Sequence, residues 1–110
     1  MQITLRTRKI ELTDALKRHA EERLGRLEKF MDKGVSAHYV LSVEKYRHTA
    51  ELTIRADGAI HHSKEITGDM YLSIDRVVHK MEKQLKRNRE RRRSLKRGEK
   101  VASGRHKPTE

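Results

Sequence analysis

Hydrophobic positions along this chain keep two periods, and each change of period marks a new element. Met1, Ile3 and Leu5 alternate with Gln2, Thr4 and Arg6, which predicts a short half-buried strand. Leu16, Ala20, Leu24, Leu27 and Met31 then follow at spacings of four, four, three and four, one apolar stripe on a helix. Thr13 stands where an N-cap belongs, and Asp14 falls in the first turn, where the helix dipole favours negative charge. Gly25 inside this helix costs about 1 kcal/mol relative to Ala, a weakness rather than a break, and Gly34 ends the segment.

From Val35 the period is two. Val35, Ala37, Tyr39, Leu41 and Val43 share a face, and Ala50, Leu52, Ile54 and Ala56 repeat the pattern. Lys45-Tyr46-Arg47-His48 is the expected turn between these strands, and Asp57-Gly58 is a hairpin signal. In the fourth strand Ile60, His62, Lys64 and Ile66 compete with Ala59, His61, Ser63 and Glu65 for the inner face, a conflict that a bulge would resolve. Gly68-Asp69 opens the last element, with Asp69 or Ser73 as its cap. Tyr71, Ile74, Val77, Val78, Met81 and Leu85 make a second helical stripe, which stops at Leu85 while good helix formers continue. The predicted fold is α+β: a β-α-β-β-β-α two-layer sandwich with two helices on one face of a four-stranded sheet and the other face wet.

Charge changes this picture at one end. From Lys80 to Glu110 there are thirteen Lys or Arg and four Glu, so nine of the eleven net positive charges lie in the last thirty-one residues. A run of this kind repels itself unless a polyanion neutralises it, and RNA is the abundant intracellular polyanion. The 110 residues allow one domain, expected over 1–93, followed by a basic disordered tail over 94–110. No window reaches the roughly 18 consecutive apolar residues of a membrane span. The N-terminus lacks the order of a secretory signal, and zero cysteines exclude disulfides and thiolate chemistry. A cytoplasmic protein is expected.

Candidate chemistry narrows quickly. None of the seven histidines pairs with another at helical spacing or in an HExxH pattern, so no metal site is expected. There is no nucleophile elbow and no phosphate-cradling Gly-rich loop, and the Glu21-Glu22 pair lies on a helix rich in Lys and Arg. Neither an enzyme, a cofactor nor a small-molecule substrate is indicated. The first helix, with Lys17, Arg18, Arg23, Arg26 and Lys29 among three Glu, reads as a solvated, ion-paired face. On the second helix Arg76, Lys80, Lys83 and Arg87 recur at four, three and four, a positive ridge beside the apolar stripe that suits a phosphate backbone. Lys86, Arg89 and Arg91 extend it, and Arg6, Arg8 and Lys9 add charge after the first strand. Phe30, Tyr39 and Tyr71 fall at core positions, leaving at most Tyr46 exposed, so a platform for stacking several bases is not expected.

The run Gly68-Asp69-Met70-Tyr71-Leu72-Ser73-Ile74-Asp75, followed by Lys80-Met81-Glu82-Lys83-Gln84-Leu85, resembles the signature of the ribosome hibernation-promoting factors, also called ribosome-associated inhibitor or sigma-54 modulation proteins. The Ile3 strand, the helix start Glu11 to Leu16, and Leu27-Glu28-Lys29-Phe30 match in style, so the likeness covers roughly residues 1–90. The chain departs from the pattern at His79, often acidic there, and in the approach Ile66-Thr67-Gly68. Ending at residue 110, it is similar to the short members, without a C-terminal dimerising domain.

The resemblance implies a fold shaped like double-stranded RNA-binding domains and a non-enzymatic role. Such factors bind the small ribosomal subunit between head and body, over the mRNA path and the A and P tRNA sites. The implied partner is that subunit and its rRNA, met by a monomer in stationary phase or stress. Within the signature, Tyr71, Ile74, Met81 and Leu85 are expected in the core, Asp69 as a cap, and Asp75 paired with Arg76 or a neighbouring strand. The rRNA contacts are expected from Lys80, Lys83, Lys86, Arg87, Arg89, Arg91, Arg6, Arg8 and Lys9. Charge alone would equally predict a general binder of structured RNA or DNA, and the older family name suggests a regulator of transcription.

Overall fold

The computed structural model describes residues 1–31, 34–56 and 58–96, with side chains to Arg91. The order is β1 (Gln2–Arg8), α1 (Asp14–Gly25), a 3-10 turn (Glu28–Phe30), β2 (Ser36–Glu44), β3 (Arg47–Ala56), β4 (Ala59–Thr67) and α2 (Met70–Lys96). The sheet runs β1-β2-β3-β4. β1 lies parallel to β2, a pairing that needs a crossover, and α1 supplies it. β2, β3 and β4 form an antiparallel meander. This is the expected α+β architecture.

One sheet face carries the core. Tyr39, Leu41, Leu52 and Ile54 are fully buried against Leu24 and Leu27 of the first helical segment and Ile74, Val77 and Met81 of α2. Burial of this set, at about 25 cal/mol per Å² of apolar surface, is the main force holding helices on sheet. The Tyr39 hydroxyl donates to the Ala20 carbonyl at 2.9 Å, so this buried polar group is satisfied. Its burial first, and the Asp75 carboxylate second, push the phenol above the ordinary tyrosine range.

Both caps form where the pattern placed them. Thr13 Oγ1 accepts from the Leu16 amide at 3.1 Å, and Asp69 Oδ1 from the Tyr71 amide at 3.2 Å. Ser73 is no cap: it is fully buried and donates to the His48 carbonyl at 2.6 Å, tying α2 to β3.

Five expectations are corrected. α1 ends at Gly25, and the stripe continues through the tighter turn at Glu28–Phe30, so the glycine does end the α-helix. The β2–β3 turn contracts to Lys45-Tyr46, because Glu44 already pairs with Arg47. β4 needs no bulge: its register with β3 is unbroken, and Ser63 is buried while Ile60 and Ile66 are exposed. On the inner face α2 meets two of the polar residues, Glu65 accepting from Lys80 and Thr67 bonding Ser73, while the small Ser63 side chain is buried with no hydrogen-bond partner for its hydroxyl among the described residues. Tyr71 is 39% exposed, its ring edge-on to His19 at 4.9 Å, and Met70 takes the buried place. The first three residues of the tail expected over 94–110 continue α2 instead, and the rest of it, with Asp57 of the hairpin signal, lies outside the described residues.

Candidate nucleic-acid interface

α2 is a helix of 27 residues, about 40 Å long at 1.5 Å per residue. Its first four turns lie on β3 and β4, buried at Met70, Ile74, Val77, Val78, Met81 and Leu85. Beyond Leu85 every described side chain is exposed or half-exposed, so this stretch of the helix adds nothing to the core. Lys, Arg, Glu and Gln lose little rotamer freedom in a helix, which favours the helix here without an apolar stripe to bury.

The basic ridge faces the β4 edge. Lys80, Lys83, Arg87 and Arg91 line one side of a groove of about 660 Å³, with His61, His62, Gln84 and Asn88. Among the described residues lining it there is no carboxylate. Two bonds fix the helix over this edge. Gln84 Nε2 donates to the His62 carbonyl at 2.9 Å, and Lys80 Nζ reaches Glu65 Oε2 at 3.0 Å. Gln84 thus satisfies an edge carbonyl of the sheet, and Lys80 spends part of its charge on a strand. Lys83, Arg87 and Arg91 have no ion-pair partner among the described residues. They are the cations here that meet an incoming phosphate without first breaking a bridge.

Other predicted contacts lie elsewhere. Lys86 is exposed but outside the groove lining. Arg89 turns toward the 3-10 turn and donates from Nη1 to the Lys29 carbonyl at 2.7 Å, which anchors the extension of α2 to the end of the first helical segment. Arg6 and Arg8 lie opposite Val40 and Ser42 on the face turned away from the helices. β1 and β4 are the two edges of the sheet, about 14 Å apart at three strand spacings. The structure therefore brings Lys80, Lys83, Arg87 and Arg91 together and sets Arg6, Arg8 and Lys9 apart from them.

Asp75 is paired across the helix layer rather than with Arg76 or a strand. Its Oδ1 accepts from Arg23 Nε at 2.8 Å and lies 2.8 Å from His19 Nε2. Arg23 of α1 is thus neutralised by α2, whereas Glu21, Glu22 and Glu28 form no ion pair among the described residues, so the expected ion pairing within the first helix is not seen. The groove residues that sequence reasoning missed are His61, His62, Gln84 and Asn88. Gln84 and Asn88 carried a readable signal, since they continue from Lys80 at spacings of four on the same side of the helix. The histidines carried none, because only the packing of α2 over β4 brings them there.

Comparison with known proteins places this geometry in a family. The family model described as sigma 54 modulation protein / S30EA ribosomal protein matches residues 3–93. A ribosome hibernation promoting factor of Azotobacter vinelandii is 30% identical over 102 residues, covering 93% of this chain and 95% of that one. The Thermus thermophilus Protein Y N-terminal domain superposes with a TM-score of 0.75 at 35% identity, over 79% of this chain and 98% of that chain. A ribosomal subunit interface protein from Coxiella burnetii shares the fold, with a TM-score of 0.72 at 20% identity over 82% and 99% of the two chains. With its match running from β1 into the basic extension of α2, the chain belongs to the sigma 54 modulation protein / S30EA ribosomal protein family.

Proposed function

We propose that this chain is a ribosome hibernation factor of the cytoplasm, which binds rRNA of the small subunit with the groove between α2 and β4. The observation that carries the reading is the convergence of Lys80, Lys83, Arg87 and Arg91 on a groove lined by no carboxylate among the described residues. A concave positive surface focuses the field on a polyanion, and mounting on one helix puts the charges on a common side. The name of a similar protein, ribosome hibernation promoting factor, supports the partner. Seated in the decoding channel, the domain occupies the mRNA path and the A and P tRNA positions, so that translation stops in stationary phase or stress. The protein acts by occupancy, not by catalysis, as a monomer that requires no cofactor.

Sedimentation of lysates from growing and starved cells tests this. The chain is expected with small subunits chiefly after growth stops, and Lys83→Glu with Arg87→Glu abolishes cosedimentation while circular dichroism stays unchanged. Equal binding to any RNA or DNA duplex in competition with small subunits would replace the reading by that of a general nucleic-acid binder.

A further inference from the structure

We propose that the hairpin end of the sheet is a second RNA site, which stacks an unpaired base on the Tyr46 ring and holds its flanking phosphates on Arg8, Lys9, Arg47 and Lys64. It shares with the α2 groove only the class of partner, because it opens on the sheet face turned away from the helices.

The parallel register sets Arg8 opposite Ser42, so β1 ends beside the point where β2 turns into β3. There a hollow of about 330 Å³ is lined by Arg8, Lys9, Arg47 and Lys64, with the hydroxyls of Ser42 and Thr49. That volume is at the lower end of the roughly 300–1,000 Å³ of small-ligand sites, the scale of one nucleotide. Two carboxylates, Glu44 and Glu51, also line it, leaving four cations against two anions. Glu51 lies opposite Lys64 in the β3–β4 register and 3.7 Å from His62 Nε2. Among the described residues none of the four cations has an ion-pair partner within 4.0 Å. The hollow therefore favours an anion and offers hydroxyl donors beside it.

Tyr46 marks the tip of this end. It is 89% exposed between Lys45 and Arg47, and it adds nothing to the core. An aromatic face flanked by cations is the platform on which an unpaired base stacks, whereas a duplex hides its base faces. The backbone here is also held in an uncommon form. Lys9 and Lys45, with φ of 59° and 58°, are the non-glycine residues of positive φ among those described, and both lie at this end. At Lys45 this is the conformation that a two-residue hairpin turn requires.

The chain has no tryptophan, so Tyr46→Trp provides a single indole reporter. Titrated with a short hairpin RNA carrying an all-uridine loop, its fluorescence is expected to quench to saturation, and a blunt duplex of the same stem to leave it unchanged. Tyr46→Ala weakens binding of the looped RNA about five- to hundredfold, Tyr46→Phe retains it, and both bind the blunt duplex as the parent does. The quench persists in the Lys83→Glu, Arg87→Glu background, which separates this site from the α2 groove. No quench at concentrations that saturate duplex binding, loss of the quench in that background, or equal affinity of Tyr46→Ala and the parent for the looped RNA would each overturn the proposal.

Discussion

Asp75 shows how much a single signature residue can depend on distant sequence. Its partners His19 and Arg23 lie 56 and 52 residues away, on α1, so no local pattern could name them. The side chain is 40% exposed, so this clasp contributes only about 0.5–1 kcal/mol. Asp75→Asn is expected to lower stability by that amount in urea titration and to leave ribosome binding unchanged. Loss of binding at unchanged stability would make Asp75 an RNA contact instead. Tyr39 is the complementary case, legible as core from its alternation yet carrying a hydroxyl whose acceptor, Ala20, the pattern could not show. Its proton is held more tightly in the folded state than at the ordinary tyrosine value of 10.0. The unfolded chain therefore gives up this proton first, and its contribution to stability is present below pH 10 and lost as pH rises through the folded value. Tyr39→Phe should cost about 0.5–1.5 kcal/mol at neutral pH. Chemical denaturation across pH should then show the deficit shrinking above pH 10; a constant deficit would remove the linkage.

Among the elements, α2 was readable and β4 was not, for one physical reason. The stripe from Ile74 to Leu85 announces its own burial, because apolar residues recur at the helical period whatever they pack against. The inner face of β4 is polar, and Lys80 and Ser73 of α2 meet two of its residues, Glu65 and Thr67. That information lies on another element. The start of α2 was ambiguous in the same way: Met70 and Tyr71 stand four and three residues before Ile74, and both spacings fit the stripe. Periodicity could not choose, and packing buried Met70. The face assignment of β4 is directly testable. Ser63→Leu overpacks the layer beneath α2 and should cost about 1–3 kcal/mol, whereas Ile60→Thr, on the wet face, should stay within about 0.5 kcal/mol of the parent. Thermal melts of the two variants decide it, and the reverse order would put the wrong face inward.

At the scale of the molecule, the charge asymmetry pointed to nucleic acid but not to a site. Lys83, Arg87 and Arg91 were visible as a ridge, while the second wall of their groove comes from β4 and appears only once the helix is laid across that edge. Folding also divided the predicted contacts: Lys80 bridges Glu65, Arg89 holds the Lys29 carbonyl, and Arg8 and Lys9 face a separate hollow. What remains at the groove is a small set of cations without ion-pair partners among the described residues, carried on one helix. The dependence of affinity for purified small subunits on salt tests their role most directly. Each phosphate neutralised contributes about 0.7–0.9 to the slope of log affinity against log salt. Lys83→Gln with Arg87→Gln should therefore weaken binding and reduce that slope by about 1.4–1.8. Parallel slopes for the parent and the double variant would show that these cations do not touch RNA, and would contradict the account.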